Sequence, residues 1–209
     1  YEIMPRLVGS EMCIRDRANS KDWREFVLLL IDVQQDFWNE DREKAFPTFR
    51  SNIVKLLKFC RSSGLDIVHI RAEFEPDGTI WMVPYRIKGE TPCGRGTPGI
   101  VALPCAIEHT GETLITKQTF DAFFQNDLLD YLQRASKSFV LVAGLETSVC
   151  ILFTAVSAVQ HGYLVAAVED CCADEPDKHR AIMAGYPFVF DCTSLDTLHC
   201  DLDRWLAML

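Results

Sequence analysis

Continuous apolar runs alternate with segments of helical period along most of this chain. Phe26 to Asp32 reads FVLLLID, an unbroken apolar run closed by an acid. A run with no polar alternation suits a parallel strand covered on both faces. Phe49 to Ser62 sets Ile53, Leu56, Leu57 and Cys60 at helical spacing, and Gly64 supplies the stop. Asp66 to Ile70 reads as a second strand and Glu112 to Thr116 as a third. Asn126 to Ala135 reads as a helix with Leu128, Leu129 and Leu132 on one side. Phe139 to Ala143 is a buried strand that Gly144 ends. Thr147 is then a good N-cap for an apolar helix from Ser148 to about His161. Leu164 to Val168 is the fifth strand, Pro176 to Ala184 a helix, and Phe188 to Phe190 the sixth strand. Ser194, or a close neighbour, caps a last helix through Leu198, Leu202 and Leu206.

Strands and helices thus alternate about six times. The fold expected is α/β: a three-layer, doubly wound, mainly parallel six-stranded sheet with helices on both faces. A length of 209 residues suits one domain with a full core, expected over 18–209. The connection over 72–111 breaks the rhythm. It holds Pro76, Pro84, Pro92, Pro98 and Pro104, with Trp81, Met82, Tyr85 and Arg86 among them. So long a connection is expected to be a lid or substrate loop. Residues 1–17 do not fit the pattern either. Their run LVGSEMCIRD resembles the conceptual translation of a sequencing adapter, so the stretch is expected to be a non-native tail and is set aside.

Composition narrows the function. Hydrophobic residues make up 48 % and charged residues 24 %, as in a soluble globular chain, and no apolar run is long enough for a membrane span. A net charge of −9 argues against nucleic-acid partners and against docking on anionic lipid. The nine cysteines form no C-x-x-C pair. Most are therefore expected to be reduced, as in a cytoplasmic type of compartment.

In a doubly wound sheet, ligands bind at the carboxyl ends of the strands, near the switch in strand order. Asp32, Lys117 and Cys150 each follow directly on a predicted strand, so all three are expected at that one edge. Cys150 falls in the first turn of its helix. Amide N–H groups and the helix dipole there should make its thiol ionise more readily than a free one, whose pKa is about 8.5. A thiolate attacks a carbonyl, a carboxylate such as Asp32 can accept and return the proton, and Lys117 can hold the pair in place. The bland alternatives are a buried core cysteine, a turn-capping aspartate and an exposed lysine.

The segments LLLIDVQQDF (28–37), TKQTFDAFFQNDLLDYL (116–132) and VAGLETSVCILFTAVSAVQHGYLVAAVEDCCAD (142–174) resemble those of the isochorismatase-like cysteine hydrolases, which include nicotinamidases, N-carbamoylsarcosine amidohydrolase and ureidoacrylate amidohydrolases. The resemblance implies a catalytic triad of Asp32, Lys117 and Cys150. It implies a non-proline cis peptide at Leu145–Glu146, with the Glu146 and Cys150 N–H groups serving the oxyanion, and a homo-oligomer. Nicotinamidases carry an Asp-x-His metal motif after the second strand, whereas this chain reads His69-Ile-Arg-Ala-Glu-Phe74, so neither a metal nor another cofactor is expected and His69 is read as core. The reaction expected is metal-independent cleavage of a small amide or carbamoyl C–N bond through a thioester. Arg71, Trp81, Tyr85, Arg86, Phe120 and Phe124 are candidate substrate-binding residues, with Arg71 or Arg86 suited to a substrate carboxylate. The competing readings are a vinyl ether hydrolase of the isochorismatase type with the thiol idle, and a binding protein on the same fold. A nucleotide-binding domain ranks last, because no G-x-G-x-x-G follows the first strand.

Overall fold

The computed structural model describes residues 23–209. The expected tail over 1–17 lies outside the described residues. One six-stranded parallel sheet organises the rest. Its strands are β1 (Phe26–Ile31), β2 (Asp66–Ala72), β3 (Thr113–Lys117), β4 (Phe139–Leu145), β5 (Leu164–Ala173) and β6 (Asp191–Thr193), in the spatial order β3-β2-β1-β4-β5-β6. All five pairings are parallel. The chain runs outward from β1 through β2 to β3, then returns to the other side of β1 with β4. The crevice between the carboxyl ends of β1 and β4 is therefore the topological switch point. Both strands are buried at every residue, which is why they read as continuous apolar runs.

Seven α-helices are present among the described residues: α1 (Glu40–Ala45), α2 (Phe49–Ser63), α3 (Val83–Lys88), α4 (Asp127–Arg134), α5 (Leu152–Gln160), α6 (Pro176–Gly185) and α7 (Leu198–Leu206). One face of the sheet packs on α2 and α7 through Phe49, Ile53, Leu56, Leu202 and Trp205. The other packs on α4, α5 and α6 through Leu128, Leu132, Ala155, Ala158 and Met183. The α2 helix stops at Gly64, whose φ of 68° lies in the left-handed region a glycine tolerates.

Several boundaries differ from the sequence reading, each for a physical reason. Gly144 does not end β4 but sits inside it, at φ 122°, where the β4–β5 ladder shifts register. A Cβ there would lie 2.0 Å from the Ile31 carbonyl oxygen of β1, so no other residue fits. Thr147 does not cap the next helix. Its side chain is buried and turned to His179, and a π-helical turn, Thr147–Ile151, precedes α5. β5 continues five residues past Val168, through Glu169 and Asp170, to Ala173. The sixth strand is not Phe188–Phe190, where Phe188 is exposed, but the short edge strand that follows it. Thr197, not Ser194, is the residue before α7, and the Ser194 N–H bonds to the Thr197 hydroxyl.

The connection 72–111 is anchored to the body at several points. Gln34, 1 % exposed, accepts from the Ala72 N–H and donates to the Ala72 and Ile100 carbonyls at 2.8–2.9 Å. Asp36 accepts from the Cys93 N–H at 2.7 Å. Ala72, Phe74 and Cys93 form a small core of their own beneath Trp81, Met82 and Tyr85.

Candidate active site

Asp32 immediately follows β1, at φ 52°, a left-handed conformation uncommon outside glycine and held here by its N–H bond to the Ile70 carbonyl at 2.9 Å. Lys117 is the last residue of β3, in register with Ala72 of β2. Two strand spacings of about 4.8 Å separate β3 from β1. The lysyl chain spans that gap to reach Asp32. Its Nζ lies 2.7 Å from Asp32 Oδ2 and donates to Cys150 Sγ at 3.3 Å and to the Thr119 carbonyl at 2.9 Å. The ammonium thus has two hydrogen-bond acceptors and, in Asp32, an ion-pair partner whose buried carboxyl oxygens accept no other hydrogen bond among the described residues. The turn carrying Thr119 is itself pinned to α5, where the Thr154 hydroxyl accepts from the Ala122 N–H. Asp32, Lys117 and Cys150 are 0 %, 3 % and 6 % exposed, so the whole cluster is buried.

Burial and charge set the ionisation of this cluster. Burial pushes the Cys150 thiol well above its ordinary pKa, the Asp32 carboxylate pushes it further, and Lys117 opposes both. This corrects the expectation of a readily ionised thiol at a helix start: desolvation and a neighbouring carboxylate outweigh the turn. Burial alone would depress Lys117, but Asp32 and Cys150 outweigh it and hold the ammonium above its usual range. Lys117 is thus held as the ammonium and Cys150 as the thiol, with the Asp32 carboxyl group against the ammonium.

The turn beside Cys150 begins after a cis peptide bond at Leu145–Glu146. The N–H groups of Val149 and Ile151 both bond to the Glu146 carbonyl at 3.1 Å, and the Cys150 N–H between them is not part of that pair. The Glu146 carboxylate pairs with Arg42 of α1, whose guanidinium also donates to the Phe37 carbonyl.

The six candidate binding residues separate. Tyr85 shares the environment of the cluster: its hydroxyl is pushed up to about 12, mainly by burial, with contributions from Cys150, Asp32 and Glu146 and opposition from Lys117. Phe120 lies between Tyr85 (6.3 Å) and Phe153 (5.9 Å), giving an aromatic wall. Trp81 donates its indole N–H to the Glu75 carbonyl at 2.6 Å and packs on the small core of the connection. Arg86 and Phe124 are exposed. Arg71 is not brought to the cluster. It shares with His69 the opposite face of β2 and pairs with Glu108. His69 is buried as read, bonded to Glu112 at 2.9 Å. Among the described residues no three His, Cys, Asp or Glu side chains converge as a metal site. Cavities of about 260 and 360 Å³ open elsewhere, and Asp32, Lys117 and Cys150 line neither.

The sequence reading missed Asp174 and His179. Asp174, 2 % exposed, accepts from the Ser148 N–H and hydroxyl at 2.7 and 2.6 Å, and His179 Nδ1 lies 2.9 Å from the Thr147 hydroxyl. These contacts span 26 and 32 residues, and no local pattern announces them.

The fold is thus that of an α/β protein with a doubly wound parallel sheet, and the side chains of Asp32, Lys117 and Cys150 meet at its carboxyl edge. The Isochorismatase domain matches residues 26–187, and the chain belongs to that family of hydrolases. It is 28 % identical over 166 residues to a maleamate amidohydrolase of Pseudomonas putida, covering 76 % of this chain and 77 % of the relative. It is 30 % identical over 152 residues to an isochorismatase family protein of Bacillus subtilis, covering 70 % and 76 %. A crystal structure of an isochorismatase family protein from Desulfovibrio vulgaris superposes with a TM-score of 0.78 at 26 % identity, covering 88 % of this chain and 99 % of that one. No helix among the described residues is long and apolar enough to cross a membrane.

Proposed function

We propose that this protein is a metal-independent cysteine hydrolase that cleaves the C–N bond of a small amide or carbamoyl compound through a thioester on Cys150. The observation that carries the reading is the buried contact chain from Asp32 through Lys117 to Cys150. Losing the thiol proton to bulk water would leave a net negative charge in a buried cluster. Passing it to Asp32 leaves the net charge at zero, so internal transfer is the cheaper route. The thiolate then attacks the substrate carbonyl carbon, and the N–H groups of Glu146 and Cys150 receive the oxyanion. Asp32 returns its proton to the departing nitrogen as the C–N bond breaks. Water enters, gives a proton to Asp32, and attacks the thioester. The acid leaves as the proton returns to the cysteine sulfur. Lys117 keeps its charge throughout.

The wall of Tyr85 and Phe120 suits a planar or apolar acyl group. The amide specificity of the Pseudomonas putida relative supports a C–N bond over a vinyl ether. With Arg71 committed to Glu108, a carboxylate on the substrate has no partner there. The test is ammonia release from a panel of small primary amides and carbamoyl compounds, maleamate included. Turnover is expected to vanish in Cys150→Ala and to survive dialysis against a chelator. Turnover retained in Cys150→Ala would shift the reading to the vinyl ether hydrolase with an idle thiol.

A further inference from the structure

We infer that Asp174, assisted by His179, is a positioning residue that holds the turn Thr147–Ile151 so that the Cys150 N–H faces the developing oxyanion. The inference rests on the thioester reading above. Asp174 follows directly on the end of β5 and lies inside the protein. Among the described residues no lysine or arginine pairs with it, and its three hydrogen bonds come from the Ser148 N–H, the Ser148 hydroxyl and the Glu175 N–H at 2.6–2.7 Å. A buried carboxylate without a counter-ion is costly, and charge-assisted bonds of this length are about twice as strong as neutral ones. Two of the three are directed at one residue, two positions before the thiol. The residue before it is fixed as well. The Thr147 hydroxyl, fully buried, meets His179 Nδ1, and burial depresses the His179 pKa so that the imidazole pairs as a neutral ring.

The two side chains reach the turn from different elements. Asp174 comes from the end of β5, His179 from the second turn of α6. They seize consecutive residues of a turn whose N–H groups at Val149 and Ile151 are already bonded to Glu146. What remains to be fixed is the tilt of the turn against the sheet, which sets the direction of the Cys150 N–H. Their hydrogen bonds go to Thr147 and Ser148 and not to Cys150, so their effect passes through those two residues.

The experiment compares two reactions of Cys150, each followed by peptide mass spectrometry. Iodoacetamide alkylates the sulfur by displacement at carbon and forms no oxyanion. p-Nitrophenyl acetate acylates it through a tetrahedral oxyanion, giving a thioester and p-nitrophenol. Asp174→Ala is expected to slow acylation about tenfold or more while alkylation stays within about threefold, because a misdirected oxyanion donor affects only the first. Asp174→Asn, which keeps an acceptor but no charge, should recover part of the loss. Ser148→Ala removes one bond of the clamp and serves if Asp174→Ala does not fold. It should lower the acylation-to-alkylation ratio by about two- to fivefold. A ratio unchanged in these variants, or two rates that fall together, would overturn the positioning role. If Cys150 of the unaltered protein is acylated no faster than the buried Cys93, the thioester reading itself fails and takes this inference with it.

Discussion

At the scale of single residues, a carboxyl group, an ammonium and a thiol share one buried space. Lys117 sits between Asp32 and Cys150, and the carboxylate raises the thiol's pKa while the ammonium lowers it. Removing the ammonium in Lys117→Ala leaves burial and the Asp32 carboxylate, both of which oppose ionisation, so the pH profile of Cys150 alkylation should move further up. Amide turnover should fall at least about a hundredfold, as expected when an electrostatic partner of the reacting group is lost. A profile that stays in place would show that Lys117 does not face the sulfur in solution. The residues were legible in the sequence because each lies at or shortly past the carboxyl end of a strand. The sign of the thiol shift was not, since it depends on the depth of burial and on a neighbour 118 positions away in the chain.

At the scale of elements, the buried strands were the easiest to read and the edges the hardest. β1 and β4 are apolar at every position because both of their faces are covered. β6 has three residues, two of them half-buried, and the nearby aromatic run drew the assignment away from it. α1 and α3 are six residues each with no buried side chain, so they leave no hydrophobic period. The extension of β5 was hidden by Glu169, which is exposed, and Asp170, whose carboxylate accepts from the Leu195 N–H. Gly144 was read as a strand breaker, when its purpose is close approach to β1. Gly144→Ala would force a methyl against the Ile31 carbonyl at a φ that L-residues rarely adopt. It should cost about 3–5 kcal/mol in urea unfolding. A loss under 1 kcal/mol, on the order of an ordinary surface change, would mean that β1 and β4 separate more easily than their register implies.

At the scale of the whole molecule, the order β3-β2-β1-β4-β5-β6 brings chain positions 32, 117 and 150 to one crevice. The alternation of strands and helices foretold that edge, but not which side chains on it would meet. Arg71 shows the difference: one residue of strand register put it on the opposite face, in a second polar cluster with Glu108 near His69, Glu112 and Arg61. That cluster ties β2 and α2 to the end of the long connection and predicts acid sensitivity. Burial works against the Glu112 carboxylate, but bonds from Arg61, the His109 N–H and His69 outweigh it and hold its pKa at about 2, against 4.5 for an ordinary glutamate. The depressed value means stability that is present above about pH 4.5 and is lost as the pH falls toward 2. Unfolding midpoints across that window should drop for the unaltered protein and flatten in Glu112→Gln. Equal slopes would remove Glu112 from the account. Whether Asp32 and Lys117 govern the thiol is read from the pH profile of Cys150 alkylation in Asp32→Asn. With the carboxylate gone and the ammonium kept, the profile should move to lower pH even as amide turnover is lost, because the charge that raised the thiol is also the base that activates it. A profile that is unchanged, or that moves up, would mean that Asp32 does not govern the thiol.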